Sequence, residues 1–474
     1  MAVEWSGLTP EILLQLDRGS RGTLGAQVQA TLRAAIRSGR LRAGERLPSS
    51  RRLAADLGLS RGLVQGSYEQ LAAEGYLAAT PGGATRVALA ARPAAAAPPA
   101  PGPPSGPAID FSPGRPDLGS FPMRDWLWAC GEAARTASRA DIGYGDPAGA
   151  PPLRAVLAAY ARRVRAACVE ERDVVVCGGF TQGLGLALRA LRERGDTAVA
   201  VEDPGHRELA RQVRRAGLRP VPVPVDEHGL VVEALAASGA TAAILTPAHQ
   251  TPTGVALAPD RRQELLHWAD ERDGVVIEDD YDSEFRYDRR PVGSLQGLAP
   301  DRVVLIGSVS KSLGPTLRLG WLLAPPRLAA AIAEEKHRSD RGSPGLDQLA
   351  LARLVESGRY DAHLRRMRRA YAAKRSALTD ALRRHAPHLR LTGLDAGFHA
   401  LAELPGGADE AAVVAEAAGR SVLLHGLMRY RIPGSIGRPA LVLGFGDLNE
   451  PAIRSGIARI ADLLAPPAQA GPHG

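Results

Sequence analysis

The chain has 474 residues, of which 45% are hydrophobic, and its 59 Lys and Arg exceed its 51 Asp and Glu by 59 − 51 = 8. No apolar run approaches the ~18 residues that a membrane-spanning helix needs, and the first residues lack the basic and apolar regions of a secretory signal. Three cysteines without CxxC spacing give no metal site, so we expect a cytoplasmic protein of roughly two to four domains without a bound metal.

Positive charge is concentrated near the N-terminus. The segment from Thr31 to Arg61 contains eight arginines but only two acidic residues, Glu45 and Asp56, a local balance of 8 − 2 = +6. Such a segment permits binding to nucleic acid, although ordinary surface arginines give the same composition. The charge therefore needs a structural context before it indicates a partner.

Three helices and two strands are predicted in and around this basic segment. The first helix stops at Ser38-Gly39, and its apolar series at near-helical spacing is Val28, Leu32, Ile36 and Leu41. Ser49 or Ser50 caps a second helix that ends at a turn containing Gly58, and Ser60 caps a third. Two short helices joined by a glycine turn form a helix-turn-helix, and LAATPGGATRVALA adds two strands around a Pro-Gly-Gly turn, which is typical of a wing.

The stretch SGRLRAGERLPSSRRLAADLGLSRGLVQGSYEQLAAEGYL resembles the DNA-binding domain of GntR-type regulators. The resemblance covers about residues 23–89 and implies an α+β winged helix-turn-helix that places its recognition helix in the major groove of double-stranded DNA. The candidate DNA contacts are Arg51, Ser60, Arg61 and Gln65. The expected wing tip, Pro81-Gly82-Gly83, has no cationic side chain, so a minor-groove contact would come from backbone groups or from Arg86.

A linker separates this module from the rest of the chain. Residues 91–108 read ARPAAAAPPAPGPPSGPA, with seven prolines and no periodic apolar pattern. We therefore expect a DNA-binding domain at 1–90, a Pro/Ala-rich linker at 91–108 and a large domain at 109–474.

The large domain alternates short apolar runs with helical patterns. The runs are VVVCGG, AVAVEDP, TAAILTP, GVVIEDD and RVVLIGS. This βα rhythm predicts a mainly parallel sheet that is buried on both faces. Polar residues follow several of the runs, at the sheet edge where open α/β sheets bind ligands.

One lysine is distinctive because the whole chain contains only three. Lys311 lies in SVSKSLGPTLRLG directly after a predicted strand, whereas Lys336 and Lys374 lie in charged helical sequence and are expected at the surface. Lysine, unlike arginine, can lose its proton and form a Schiff base with an aldehyde. The neighbouring groups suited to a phosphate dianion are Ser308, Ser310 and Arg318.

Two further patterns bear on a cofactor. GGFTQG places Gly179, Phe180 and Thr181 at a helix start, where free backbone N–H groups bind phosphate. VVIEDDYDSEF sets three carboxylates at a strand end, which would suit a divalent cation, but a second interpretation needs only Asp279 and Tyr281. An aspartate keeps the pyridine nitrogen of pyridoxal 5'-phosphate (PLP) protonated, and a tyrosine hydrogen-bonds its ring oxygen. Together the patterns favour PLP.

The large domain resembles the fold-type I aminotransferases, and the two halves together resemble the MocR/GabR family of transcriptional regulators. The motifs that carry this resemblance are YGDPAGAPPLR, VEDPGH, TPAHQTPTG, IEDDYDSEF and SVSKSLGPTLRLGW. It implies a PLP-dependent transferase fold, with a mainly parallel seven-stranded sheet in a large domain and a small C-terminal α+β domain. It also implies a homodimer, because Tyr144 matches the tyrosine that reaches the phosphate of the partner subunit.

Residue by residue, the resemblance assigns Lys311 to the Schiff base with PLP, Asp279 to the pyridine nitrogen and Tyr281 to the ring oxygen. The residues that it assigns to the phosphate are Gly179, Phe180, Thr181, Ser308, Ser310 and Arg318.

Three positions depart from the aminotransferase pattern. His206 stands where an aromatic ring, commonly tyrosine, stacks on the cofactor. Thr251 stands where aminotransferases usually place an asparagine against the ring oxygen, which leaves Tyr281 and His249 to hold that oxygen. Val442 stands where an arginine usually clamps the substrate carboxylate, so ordinary transamination loses a bidentate anchor.

These observations predict a PLP-dependent transcriptional regulator that responds to PLP or to an amino compound forming an aldimine with it. Arg429 matches the arginine that regulators of this family offer to an effector carboxylate, and Arg207 is a second candidate, with surface salt-bridging as the alternative for both. The alternative function is a working aminotransferase with an accessory DNA-binding domain, against which Val442 speaks. A dimerisation scaffold that has lost its cofactor is a third interpretation, and it conflicts with the retained cofactor contacts.

Overall fold

The computed structural model describes residues 16–17, 23–78, 84–88, 109–287, 292–432, 435 and 437–466. The chain forms two compact units, Met1–Pro104 and Ser105–Gly474. The expected linker and the wing tip at 81–83 lie outside the described residues, so the domain boundaries stay predictions. Among the residues that are described, no helix combines the length and apolarity needed to cross a membrane.

The first unit contains three helices and a two-stranded sheet. They are α1 (Leu24–Arg37), α2 (Ser50–Leu57), α3 (Arg61–Ala73), β1 (Leu77–Ala78) and β2 (Arg86–Val87). Ser49, the first of the two candidate caps, accepts from the N–H of Arg52, and Ser60 accepts from the N–H of Leu63. Gly58 ends α2 at φ 61°, a left-handed conformation that favours glycine. β1 and β2 pair antiparallel, as expected of a wing.

One apolar core holds these elements together. The helices contribute Val28, Leu32, Ile36, Leu53, Val64 and Leu71, and the strands contribute Leu77 and Val87. Arg33 on α1 donates through Nε and Nη2 to the carboxylate of Glu74, directly after α3. The unit therefore has its own buried centre, as an independent domain requires.

The second unit alternates helices and strands, as predicted. Its helices are α4 (Met123–Thr136), α5 (Pro151–Arg165), α6 (Phe180–Arg194), α7 (Arg207–Arg215), α8 (Val232–Ala237), α9 (Pro259–Glu271), α10 (Leu295–Leu298), α11 (Pro326–Asp340), α12 (Gly345–Glu356), α13 (Arg359–His385), α14 (Glu410–Gly419) and α15 (Glu450–Arg459). Its strands are β3 (Ile109–Asp110), β4 (Val174–Cys177), β5 (Ala198–Asp203), β6 (Arg219–Asp226), β7 (Gly229–Leu230), β8 (Ala242–Leu245), β9 (Val275–Asp280), β10 (Val303–Ser308), β11 (Gly320–Leu323), β12 (Arg390–Thr392), β13 (His399–Glu403), β14 (Val422–Leu423), β15 (His425–Gly426) and β16 (Ala440–Gly444).

The large sheet has the order β4-β11-β10-β9-β8-β5-β6-β7. The central pairs from β10 to β6 are parallel, whereas β11 runs antiparallel to both of its neighbours. The sheet has eight strands rather than the predicted seven, because the two-residue strand β7 pairs with β6 at one edge. Every residue of β4, β8 and β11 is buried, as expected for a sheet covered on both faces.

The C-terminal part forms a smaller sheet with the order β12-β13-β16-β15, and all of its pairs are antiparallel. β3, at the start of this unit, pairs in parallel with β14. The chain just after the expected linker is therefore anchored to the smaller domain, from where it continues toward the large sheet.

The expectation that Lys336 and Lys374 lie at the surface is wrong. Lys336 is fully buried and donates to both oxygens of Asp340, one helical turn later. Lys374 is also buried and donates to Asp117 at 2.7 Å and to the carbonyl oxygen of Gly446 at 2.6 Å. Both are structural cations held by partners, because an unpaired buried ammonium would be strongly destabilising.

Candidate cofactor and DNA-contact sites

The parallel pair β9 and β10 brings Asp279 and Lys311 to one edge of the large sheet. Ile306 of β10 lies opposite Asp279 of β9, and the turn after β10 carries Lys311. Because neighbouring residues of a strand face opposite sides, Asp279 points away from Glu278 and Asp280. Asp280 instead accepts from Arg165 at 2.8 and 2.9 Å. The three carboxylates of this strand therefore do not converge on a cation site.

Lys311 lies in a setting that favours the neutral amine. Its Nζ donates to the carbonyl oxygen of Gly114 at 2.6 Å. Burial lowers the pKa of Lys311, and the carboxylates of Asp279 and Asp282 partly offset that effect. An amine with a lowered pKa is a better nucleophile at neutral pH, which is the property that Schiff-base lysines need.

The surroundings of Asp279 oppose ionisation of its carboxyl. Burial raises its pKa well above the usual range, Asp280 adds repulsion, and Lys311 acts in the opposite direction. A protonated ring nitrogen placed against this carboxyl would form a charge-assisted hydrogen bond and favour the ionised form. The residue thus fits the pyridine nitrogen of PLP.

A phosphate cradle lies at the start of α6. Gly179 caps this helix at φ 101°, and a Cβ added to it would lie 3.6 Å from Nη1 of Arg318 and 3.7 Å from Oγ of Ser310. Phe180 and Thr181 begin the first turn, whose N–H groups have no partner within the helix. Ser308 ends β10 beside the turn that holds Ser310. A helix N-terminus, a guanidinium and a hydroxyl therefore face the same small space, which suits a phosphate dianion.

Tyr281 follows Asp279 by two residues and lies against His249. Its hydroxyl donates to the carbonyl oxygen of His249 at 2.9 Å and lies 3.1 Å from Nδ1 of the same residue. Burial raises the pKa of Tyr281, Asp282 raises it further, and a hydrogen bond with the Thr251 side chain lowers it. The phenol is therefore neutral and able to donate.

The ring nitrogens of His249, which the sequence suggested as a second contact to the ring oxygen, both have other partners. Its Nδ1 lies 2.7 Å from Oδ2 of Asp282, and its Nε2 lies 3.2 Å from the carbonyl oxygen of Gly393. Both ring nitrogens thus have partners within the protein, and Tyr281 stays the predicted contact to the ring oxygen.

The segment that carries Arg429 is fastened to the VEDPGH turn. The N–H of Gly205 donates to the carbonyl oxygen of Tyr430 at 2.9 Å, and Asp203 accepts from the Ser435 hydroxyl at 2.7 Å. Burial lowers the pKa of His206, and the positive charges of Lys311 and Arg429 lower it further. Lys311, His206 and Arg429 are therefore close enough to interact electrostatically.

The other candidate residues of the large domain are two exposed arginines, one buried valine and one exposed tyrosine. Arg207 and Arg429 are exposed, and neither has an ion pair within the part of the chain that is described. Val442 is buried in the smaller sheet opposite Leu401 and offers no charge to a carboxylate. Tyr144 has 84% of its surface exposed and is not part of the cradle within one chain.

The predicted DNA contacts lie on the first unit. Arg51, Arg61 and Gln65 are exposed on α2 and the leading turn of α3. Ser60 accepts a hydrogen bond from the N–H of Leu63 as a helix cap, and its hydroxyl hydrogen remains to donate to DNA. Arg86 donates to the carbonyl oxygen of Gly44 at 3.0 Å, so its guanidinium is partly committed to the fold rather than to the minor groove.

Sequence reasoning missed three residues near the cofactor site. Gly114 lies 197 positions from Lys311, and no sequence pattern signals their contact. Asp282 belongs to the IEDDYDSEF motif, and Glu202 belongs to VEDPGH, where it is buried and accepts from the hydroxyl of Thr246 at 2.8 Å. Membership of these motifs is the signal that could have found the two acidic residues.

Comparison with known proteins agrees with this architecture. Residues 24–87 match the family model "Bacterial regulatory proteins, gntR family", and residues 107–430 match "Aminotransferase class I and II". The pyridoxine biosynthesis regulator PdxR of Corynebacterium glutamicum is 33% identical over 94% of this chain and 96% of its own. The probable rhizopine catabolism regulatory protein MocR of Rhizobium meliloti is 32% identical over 94% of both. The chain belongs to the MocR type of GntR-family transcriptional regulators.

The large domain of this MocR-type regulator also matches solved aminotransferases. LysN, the α-aminoadipate aminotransferase of Thermus thermophilus, was solved with N-(5'-phosphopyridoxyl)-L-leucine. It has a TM-score of 0.67 and 27% identity, and the match covers 75% of this chain and 92% of LysN. Aminotransferases of this class are PLP-dependent, so the regulator carries the fold of a PLP enzyme beside a DNA-binding domain of the GntR family.

Proposed function

We propose that this MocR-type regulator binds PLP at Lys311 and that the occupancy of this site controls its binding to an operator. The observation that carries the proposal is the meeting of Lys311 and Asp279 at one sheet edge, beside a helix N-terminus with Arg318 and Ser310. A winged helix-turn-helix domain on the same chain gives the site a transcriptional output.

Each residue of the site would contact a different part of the cofactor. Lys311 supplies the amine, Asp279 the acceptor for the ring nitrogen and Tyr281 the donor for the ring oxygen. The start of α6 at Gly179, Phe180 and Thr181, with Ser308, Ser310 and Arg318, holds the phosphate, and His206 and Thr251 line the ring. Bound PLP supplies an aldehyde that condenses with primary amines.

The chemistry of Lys311 also indicates which molecules could act as effectors. An amine that bound PLP in place of Lys311 would leave the Lys311 side chain free beside Asp279 and Asp282. Arg429, exposed and close to His206, is placed to bind a carboxylate on that amine, with Arg207 as a second cation. The effector is therefore an amino acid or PLP itself, and the relative named for pyridoxine biosynthesis supports the second signal.

A second copy of the chain completes the site. Exposed apolar side chains lie on α4 and on the 3-10 turn Ala140–Ile142, and both elements pack on α12. They are Met123, Leu127 and Ile142, with 56%, 61% and 66% of their surface exposed. These exposed apolar side chains, with Tyr144 two residues after Ile142, support a homodimer in which that tyrosine reaches the phosphate of the partner subunit.

A working aminotransferase is the second candidate, since the fold match to LysN favours it. Turnover needs a clamp for the substrate carboxylate, and the buried Val442 does not provide one. Steady release of keto acid from several amino donors would support the enzyme, whereas one stoichiometric spectral change without release would support the regulator.

Fluorescence anisotropy tests the proposed function. DNA from upstream of the protein's own gene is titrated with full-length protein, with and without PLP, and the same is done with Lys311→Ala. We expect PLP to change the apparent Kd of the wild type and to leave that of Lys311→Ala unchanged. Specific binding that ignores PLP in both proteins would refute sensing, and absence of specific binding would refute the regulator itself.

A further inference from the structure

The buried Lys336 lies near the phosphate cradle. It belongs to α11, which packs on α6, and its side chain is fully buried. Burial raises the pKa of the Cys177 thiol to about 11, and the charges of Lys336 and Arg318 both act against that shift. Cys177 is the last residue of β4 and directly precedes Gly178. The ammonium is therefore close to the strand end from which the cradle begins.

Asp340, the last residue of α11, joins this lysine to the first turn of α6. Nζ of Lys336 donates to both carboxylate oxygens of Asp340, at 2.7 and 2.8 Å. The same carboxylate accepts from Nε2 of Gln182 at 2.5 Å and from the N–H of Gly342 at 3.0 Å. Burial raises the pKa of Asp340, but its hydrogen bonds, that from Lys336 first, bring it below the ordinary value. The carboxylate is therefore ionised and is held by three separate donors.

The side chain of Gln182 connects Asp340 with the backbone that enters α6. Gln182 is the third residue of this helix, and its Oε1 accepts from the N–H of Gly178 at 2.6 Å. Glutamine at this position of a helix commonly reaches back to the N–H groups around the cap. Gly179, the cap itself, has no side chain to occupy the first turn. The contact thus fixes how the chain enters the helix and leaves the N–H groups of the first turn for a phosphate.

The charge of Asp340 decides which way the amide of Gln182 points. A carboxylate only accepts, so the nitrogen of the amide faces Asp340 and its oxygen faces Gly178. Burying an ammonium with its partner costs solvation free energy, and apolar side chains often pack at least as stably in such places. The Lys336–Asp340 pair therefore contributes orientation at the cradle in addition to packing between two helices.

We propose that Lys336 and Asp340, acting through Gln182, position the phosphate cradle at the start of α6 and thereby favour PLP over its unphosphorylated form, pyridoxal. All three are positioning residues, because the groups that face the phosphate are those of the cradle. Pyridoxal has the same ring and aldehyde as PLP but a hydroxyl in place of the phosphate, so the cradle is what distinguishes the two. The inference rests on PLP binding at Lys311.

The ratio of the Kd for pyridoxal to the Kd for PLP provides the test. Both constants are measured from the growth of the visible absorption band when PLP-free protein is titrated. Gln182→Met keeps the length of the side chain and removes both of its hydrogen bonds. It should weaken PLP binding about tenfold, the equivalent of one hydrogen bond to a charged group, and leave pyridoxal binding nearly unchanged. Equal weakening for both compounds, or unchanged PLP binding, would overturn the proposal.

A second variant tests the ion pair separately. Lys336→Met/Asp340→Leu removes the pair together, so the net charge is kept and no buried charge is left unpaired. It should also lower the affinity for PLP and spare that for pyridoxal, because the amide of Gln182 can then turn away from Gly178. Adding Gln182→Met should weaken PLP binding no further than Gln182→Met alone does. Unchanged PLP binding in the pair variant, or additive losses in the triple variant, would show that the pair does not act through Gln182.

Gln296→Met is the matched control. The amide of Gln296 also joins two backbone groups, the N–H and the carbonyl oxygen of Cys168, at 2.9 and 2.8 Å, but it lies on α10. This variant should keep the wild-type ratio of the two Kd values even where it lowers stability. A ratio reduced as in Gln182→Met would assign the effect to a general loss of structure and overturn the proposal. A wild type that develops no band with either compound would instead refute PLP binding at Lys311 itself.

Discussion

Nζ of Lys311 and the carbonyl oxygen of Gly114 are joined by a hydrogen bond of 2.6 Å. Gly114 lies five residues after β3 begins, in the segment that follows the pairing of β3 with β14. A Cβ at Gly114 would lie 3.8 Å from Nζ, so the backbone approaches the amine closely. Lys311 is therefore held in place by the segment that directly follows the expected linker.

Lys311→Ala should abolish covalent capture of PLP. Only a primary amine condenses with the aldehyde, and Lys336 and Lys374 are buried in ion pairs. Borohydride reduction of PLP-loaded protein followed by peptide mass spectrometry should find the adduct on the peptide containing Lys311 alone. An adduct of similar yield in Lys311→Ala would contradict this assignment.

Arg429→Gln should weaken the response to amino acids about 10- to 100-fold, since a hydrogen bond to a charged group contributes about 1.5–3 kcal/mol. The measurement is the amino-acid concentration at which half of the change in the absorption band of PLP-loaded protein is complete. An amine without a carboxylate should be unaffected by the substitution. Arg438→Gln removes an arginine that is 83% exposed and follows Arg429 by nine residues, and it should behave like the wild type.

Arg61→Ala should reduce the affinity for the specific site by about 1–3 kcal/mol if Arg61 reads a base edge. Arg51→Ala should weaken binding to specific and unrelated DNA alike and should lower the salt dependence, as loss of a phosphate contact does. Arg33→Gln is the control that removes the same charge, because Arg33 forms an ion pair with Glu74 and is not a predicted DNA contact. Equal loss in all three variants would indicate a general effect of charge.

The local patterns in the sequence predicted the local features of the fold. Capping serines at 49 and 60, the turn at Gly58 and the apolar runs that became β4, β5, β8, β9 and β10 follow from short-range preferences. The motif residues around Lys311 also converge, since the carboxyl ends of parallel strands meet at one edge.

Contacts across long stretches of chain could not be predicted in this way. Lys374 pairs with Asp117 across 257 positions, and His249 meets Asp282 across 33. A charged helical pattern does not reveal which of its cations faces the core, so Lys336 and Lys374 were assigned to the wrong environment. The position of the Asp282 carboxylate likewise depends on Gly397, where an added Cβ would collide with Oδ2, and no sequence pattern expresses this contact.

Ile142→Asp and Leu127→Asp should convert a dimer into monomers, because a charge at the centre of an apolar interface is left without a partner. Light scattering after size-exclusion chromatography gives the mass. Leu298→Asp is the matched control, since Leu298 is 57% exposed but lies on α10, which is neither of the elements that carry Leu127 and Ile142. Tyr144→Phe should leave the dimer intact and weaken PLP retention, and an unchanged PLP affinity would remove Tyr144 from the site.

Glu202 should make the stability of PLP-free protein fall as the pH rises. Burial raises the pKa of Glu202 to about 7 from an ordinary value near 4.5, and hydrogen bonds from Thr246 and Gln250 only partly offset this. The folded state therefore binds the proton more tightly than the unfolded state. The resulting stabilisation is complete below pH 4.5 and is lost as the pH rises through 7, on the order of 3 kcal/mol in total.

Glu202→Gln should remove this part of the pH dependence while keeping an oxygen for the hydroxyl of Thr246. Burial also raises the pKa of Glu278 and Glu284 to about 7. These two groups still titrate in the variant, so its stability should depend less on pH than that of the wild type but should not become independent of pH. The urea midpoint of PLP-free protein, measured from about pH 5 to about pH 8, gives the comparison. Glu334 lies on the exposed face of α11, so the urea midpoint of Glu334→Gln should change with pH as that of the wild type does. If Glu202→Gln also ran parallel, the buried carboxyl would not be the group that titrates, because only a difference in proton affinity between the two states changes the slope.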